Sequence, residues 1–122
     1  MTVEEIRRYC RSKKGITEEL PFGPSVLVFK VMGKMFALLA WEENPLSISL
    51  KCDPERAAAL RAYYPAIRGA YHMNKRHWNM IRLDNSLNRD QLEELIDHSY
   101  DLVVKKLTRI QKKSIFPELN IP

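Results

Sequence analysis

Cysteine and glycine are both scarce in this chain, and each shortage removes a class of chemistry. Cys10 and Cys52 are the two cysteines and no CxxC pair occurs. That excludes a disulfide framework and fits a reducing, cytoplasmic setting. The four glycines are scattered, and none falls in a GxGxxG or GxxxxGK pattern, so neither a dinucleotide fingerprint nor a phosphate loop is present. The GxSxG elbow and the HExxH zinc motif are missing too. No apolar run approaches the roughly 18 residues of a membrane span. The start, MTVEEIRRYC, carries acids where a signal peptide carries cations.

What remains is the composition of one folded domain, 1–122, with residues 114–122 read as a C-terminal tail. The chain is long enough to bury a core without disulfides or structural metal. Hydrophobic residues make up 45% and charged residues 29%, a globular balance. The net charge of +5 is a modest excess that favours a polyanionic partner, because cations placed near phosphates release counterions.

Local patterns give the elements. Thr2 and Glu5 form a capping box, and Ile6, Tyr9 and Cys10 follow at helical spacing, which predicts a helix over 3–14 closed by Gly15. ITEELPFGPS, with Pro21, Gly23 and Pro24, reads as a rigid loop. VLVFKVM and KMFALLAW read as a hairpin turned at Gly33. LSISLKC alternates, with Leu46, Ile48, Leu50 and Cys52 on an apolar face and Ser47, Ser49 and Lys51 on a wet one. Asp53 and Pro54 open a second helix that ends at Pro65. GAYHM and HWNMIRL read as two strands around a turn at Asn74-Lys75-Arg76. Asn88 and Gln91 cap a long last helix whose apolar face runs through Leu92, Leu95, Ile96, Ser99, Val103, Leu107 and Ile110. The order α-β-β-β-α-β-β-α predicts an α+β two-layer sandwich: a five-stranded antiparallel sheet with helices on one face and the other partly open.

The densest polar stretch is YHMNKRHW, 71–78. In a continuous strand the spacing of His72 and His77 puts them on opposite faces, and no third ligand accompanies them, so no metal is expected. Cys52 lies near a helix N-terminus, where a thiol can be activated, but it also continues an apolar strand face, the usual place of a structural cysteine. The acids Asp90, Glu93, Glu94 and Asp97 suit the first turns of the last helix. Lys105, Lys106, Arg109, Lys112 and Lys113 sit where a helix dipole accounts for them. The cations Lys30, Lys34, Lys51, Arg56, Arg61, Arg68, Lys75 and Arg76 fall on hairpins, on the second helix and just after it, beside Tyr71, His72, Asn74, His77, Trp78 and Asn79. Two readings of this group stand. Cations can take phosphates while amides and aromatics meet bases, or the hairpin is a solvated charged turn with Trp78 in the core.

PFGP (21–24), VFKVMGKMFAL (28–38), LKCDPE (50–55), YHMNKRHWN (71–79) and LIDHSYDLVVKKL (95–107) together resemble the MmcQ/YjbR family of small bacterial proteins. The resemblance runs over roughly 1–110. It implies a two-layer domain of the secretion-chaperone-like kind, and the family's description as DNA-binding through a "double wing" of hairpins implies a nucleic-acid partner. Two departures occur: RGAY stands where the family often has Pro-Gly, and Asp84-Asn85 where it often has Asp-Gly. The expectation is a cytoplasmic, monomeric, non-catalytic DNA-binding domain without cofactor, metal or membrane. Its contacts would be Lys30, Lys34, Lys51, Arg56, Tyr71, His72, Asn74, Lys75, Arg76, His77 and Asn79. The rival expectations are a chaperone-like module binding a protein partner through an apolar sheet face, and a small-ligand or thiol site around Cys52, His72 and His77.

Overall fold

A computed structural model describes residues 1–118. The elements are α1 (Val3–Arg11), β1 (Ile16–Glu19), β2 (Leu27–Val31), β3 (Lys34–Ala40), β4 (Ser47–Lys51), α2 (Pro54–Tyr63), β5 (Ile67–Gly69), β6 (Trp78–Arg82), α3 (Arg89–Lys105) and α4 (Arg109–Ile115). The six strands form one sheet in the order β1-β2-β3-β4-β6-β5, and every neighbouring pair is antiparallel.

Local chemistry explains most boundaries. The Thr2–Glu5 capping box forms as read, with the Glu5 N–H donating to Thr2 Oγ1 at 3.2 Å and the Thr2 N–H to Glu5 Oε1 at 3.0 Å. Asp53 accepts from the Arg56 N–H ahead of Pro54 in α2. The β2–β3 hairpin turns through Met32 and Gly33, with φ of 50° and 81°. Two successive positive φ values match the twist of the flanking strands. A bulge between Phe29 and Lys30 leaves Phe36 unpaired, so Phe36 and Ala37, adjacent in sequence, both reach the core.

Leu27, Phe29, Val31, Ala37, Leu39, Ile48, Leu50, Ile67 and Ile81 form the inward row of the sheet, under Ile6, Cys10, Leu92, Leu95, Ile96, Tyr100, Val103 and Leu107 of the helical layer. The helices cover this one face: α3 lies on β2, β3 and β4, α2 on β5 and β6, and α1 on β1. The alternate row, including Val28, Leu38, Ser49 and Met80 in one cross-strand line, lies on the face opposite these helices.

Several boundaries differ from the sequence reading. The sheet has six strands, not five, because ITEE (16–19) pairs with β2 as an edge strand instead of belonging to a loop. Its polar residues carry no apolar alternation, and its pairing is set by the neighbour, not by propensity. The first helix stops at Arg11 rather than Lys14, and Gly15 (φ 78°) lies beyond it, where any Cβ would meet the Ile115 side chain. The strand read in GAYHM lies earlier, at Ile67–Gly69. Ser47, assigned to a wet face, is buried and donates to Glu43 Oε1 at 2.7 Å. The long last helix breaks after Lys105, and Thr108 starts α4 with a capping box to Gln111. Ile110 therefore leaves the apolar face and is 83% exposed. In the expected tail, Ser114 and Ile115 are helical and Phe116 packs on the core, while 119–122 lie outside the described residues.

Candidate nucleic-acid interface

Strand register gathers lysines at one end of the sheet, beside Asp53 and Glu55 of the α2 N-terminus, and most acids at the other, beside Arg82 and Arg89. Ile16, Val31, Lys34, Lys51, Gly69 and Trp78 fall at one end. The α1 C-terminus, the α2 N-terminus and the α3 C-terminus reach that end, as Lys14 O–Tyr100 Oη and Lys51 N–Ser99 Oγ contacts attest. The opposite end carries the turn with Glu42 and Glu43, the Asp84 loop and the acidic first turn of α3.

Three lysines concentrate at the basic end. Lys34 opens β3, Lys51 closes β4 and Lys106 caps α3. Desolvation holds the Lys51 amine below the usual lysine range, and the charges of Lys106 and Lys34 push it further in the same direction. Among the described residues none of the three forms an ion pair. Like charges are thus gathered without an ion-paired acid among the described residues, an arrangement that leaves room for an anion.

The segment 70–77 borders this group through the Lys51–Trp78 pairing. It consists of two consecutive turns. The Met73 N–H donates to the Ala70 carbonyl at 3.0 Å, and the His77 and Trp78 N–H groups donate to the Asn74 carbonyl at 3.1 and 2.9 Å. Asn74 Oδ1 accepts from the Arg76 N–H at 3.0 Å, the local bond that makes asparagine a turn residue. The Cys52 N–H donates to the His77 carbonyl at 2.8 Å, fastening the segment to β4. Arg61 fastens it from α2: its Nη1 donates to Asn79 Oδ1 at 2.8 Å and to the Lys75 carbonyl at 3.3 Å. The Lys75 stem lies over Gly69, with its Cβ 3.2 Å from the place a side chain there would occupy. Lys75 and Arg76 remain exposed and, with Pro54, Glu55, Ala58 and Arg61, line an open cleft of about 400 Å³.

The residues singled out from sequence therefore divide. Lys34, Lys51, Lys75 and Arg76 share one end of the sheet, with exposed Tyr71, His72 and Asn74 in the same segment as Lys75 and half-buried His77 beside them. Lys30 is engaged by Glu19 at 3.2 Å, and Arg56 by Glu94. Asn79 is 2% exposed. Its amide donates to the Ala57 carbonyl at 3.3 Å while its oxygen accepts from Arg61, so it is structural and cannot meet a base edge. Sequence reasoning sets Lys106 aside and names Arg61 only as a cation of the second helix, without its contacts to Asn79 and the Lys75 carbonyl. Lys106 reads as an ordinary helix-end cation, and only the topology brings it to Lys34 and Lys51.

The thiol alternative finds little support. Cys52 is buried, and desolvation raises its thiol above the usual range, the reverse of an activated nucleophile. Among the described residues no group of three His, Cys, Asp or Glu side chains is placed to hold a metal, and no helix is long and apolar enough to cross a membrane. His98 Nε2 is occupied in accepting the Asp53 N–H at 3.1 Å.

The YjbR family model matches residues 11–102. The chain belongs to the YjbR family. It is 34% identical over 113 residues to the uncharacterized protein YjbR of Escherichia coli (strain K12), covering 93% of this chain and 96% of that one. It is 37% identical over 97 residues to the uncharacterized protein YbdF of Escherichia coli O157:H7, covering 80% of each. Among solved structures, Deinococcus radiodurans protein DR2400, with the domain DUF419, superposes with a TM-score of 0.88 at 40% identity, over 94% of this chain and 88% of that one. A Pseudomonas syringae protein superposes with a TM-score of 0.72 at 29% identity, over 84% and 98%. The two-layer α+β architecture is thus that of the YjbR family.

Proposed function

We propose that this YjbR-family domain is a non-catalytic, cytoplasmic DNA-binding protein that takes backbone phosphates at the basic end of its sheet. The observation that carries the reading is the assembly of Lys34, Lys51 and Lys106 without an acidic partner among the described residues. Such an arrangement costs free energy in the free protein and is relieved by a polyanion. Lys75 and Arg76 extend the surface from a segment held by Arg61, so both are exposed on an ordered backbone.

A protein-binding reading would use the sheet face opposite the helices, lined by Val28, Leu38 and Met80. Those side chains are buried or half-buried, and the large exposed hydrophobics, Leu20, Phe22, Tyr63, Tyr71 and Ile110, lie off the strands of that face. The contiguous exposed patch that marks such a partner is lacking there among the described residues, which favours the nucleic-acid reading.

Fluorescence anisotropy with labelled DNA, single-stranded and duplex, tests the proposal. The protein is expected to bind at low salt and to lose affinity steeply as salt rises, and Lys75→Ala with Arg76→Ala is expected to weaken binding across sequences. Absence of binding at micromolar protein and low salt would overturn it.

A further inference from the structure

We infer that the basic end accepts nucleic acid with unpaired bases, which stack on the Tyr71–His72 pair; this rests on the nucleic-acid reading above and narrows its substrate. Tyr71 is 64% exposed, and its hydroxyl makes no hydrogen bond among the described residues. Its ring lies in tilted contact with His72, the centroids 3.9 Å apart at 45°. A large aromatic surface is therefore held in water without a structural use. Of the exposed large hydrophobics it is the one in the segment that carries Lys75 and Arg76.

The backbone that carries the platform is held by hydrogen bonds. The backbone bond from the Met73 N–H to the Ala70 carbonyl brackets the two residues, and the Ala70 N–H donates to the Trp78 carbonyl at 3.1 Å. An aromatic side chain on an ordered turn, with few rotatable bonds and a neighbouring ring in contact, loses little conformational entropy when a base settles on it. In a duplex the base faces are stacked against one another and only edges and backbone are accessible. A surface that grips phosphates alone has no need of a ring. In a single strand every base offers a π face, and aromatic stacking beside a positively charged groove is how such strands are held without sequence preference. Lys75 and Arg76 in the same segment, and Lys51 paired with Trp78 at the end of that segment, supply that charge.

The test uses the intact chain and three labelled probes: oligothymidine, oligouridine and the duplex of oligothymidine with oligoadenosine. Single strands are expected to bind at least about tenfold more tightly than the duplex. Tyr71→Ala is expected to weaken single-strand binding by roughly five- to a hundredfold, the range for removing one base–aromatic stack, with duplex binding unchanged and Tyr71→Phe close to wild type. Equal losses for both single strands assign the contact to the base alone, and a loss confined to one of them assigns DNA or RNA as the source. Duplex binding as tight as single-strand binding, or a Tyr71→Ala variant that holds single strands like wild type, would overturn the inference and leave phosphate binding standing. No binding to any probe at low salt would overturn both.

Discussion

Ser99 and Lys51 are joined at the point where the helical layer meets the basic end of the sheet. The Ser99 hydroxyl accepts the Lys51 N–H at 2.9 Å and donates to the Phe36 carbonyl at 2.6 Å. One fully buried hydroxyl thus satisfies the last residue of β4 and the bulged residue of β3, and sets where Lys51 leaves the sheet. Ser99→Ala strands both backbone groups. It is expected to cost about 1–3 kcal/mol, the desolvation penalty of buried groups left without partners. Urea denaturation measures this, and an unchanged midpoint and slope would contradict it.

The crowding of Lys51 by Lys106 and Lys34 has a stability consequence with a definite sign. Burial and like charge lower the folded-state pKa of Lys51, so the charged form is penalised in the native state. The penalty is fully present at neutral pH and disappears as pH rises through the lysine range. Lys51→Met is therefore expected to raise Tm at neutral pH, with the gain shrinking toward alkaline pH and at high salt. The same variant is expected to bind polyanions less well. Thermal unfolding across salt and pH checks the first part, and a lowered Tm at neutral pH and low salt would contradict it.

Asn74 and Asn79 look alike in sequence but have opposite positions. Asn79→Ala removes the acceptor of Arg61 and the donor to Ala57, at an expected cost of about 1–3 kcal/mol. It is also expected to speed amide exchange across 70–77, because Arg61 then loses the partner that orients it toward the Lys75 carbonyl. Asn74→Ala loses one exposed turn bond to the Arg76 N–H, with an expected cost below about 1 kcal/mol. Urea denaturation and hydrogen exchange of both variants separate the two roles. Equal effects would refute the assignment.

Both thiols are expected to be inert in the folded protein. Burial pushes the Cys10 thiol up to about 12 and raises that of Cys52, so the thiolate that reacts is scarce at neutral pH. Iodoacetamide is expected to label neither cysteine under native conditions and both in denaturant. Rapid native labelling of Cys52 would reopen a thiol function.

The parts of this fold that depend on local chemistry are legible in the sequence. The Thr2–Glu5 box, the Asp53-Pro54 start, the turn at Gly33 and the Asn88–Gln91 box all form where the residues say. Asn85 adopts the left-handed conformation (φ 71°) that replaces the usual glycine. The parts that depend on a distant neighbour are not legible. ITEE becomes a strand only because β2 offers an edge. The Thr108–Gln111 box is readable but lies hidden in an apolar periodicity that runs on through Ile110. The basic site follows the same rule: Lys75 and Arg76 are visible as turn cations, whereas Lys106 joins Lys34 and Lys51 only when α3 crosses the sheet.

The salt dependence of binding tests the central claim most directly. Anisotropy titrations against a single nucleic acid, repeated from low to moderate salt, give a slope of log affinity on log salt. Replacing Lys34, Lys51 and Lys106 together by Met is expected to weaken binding and to flatten that slope by roughly 0.7–0.9 for each phosphate no longer neutralised, hence by about two to three. An unchanged slope and affinity in the triple variant would contradict the account.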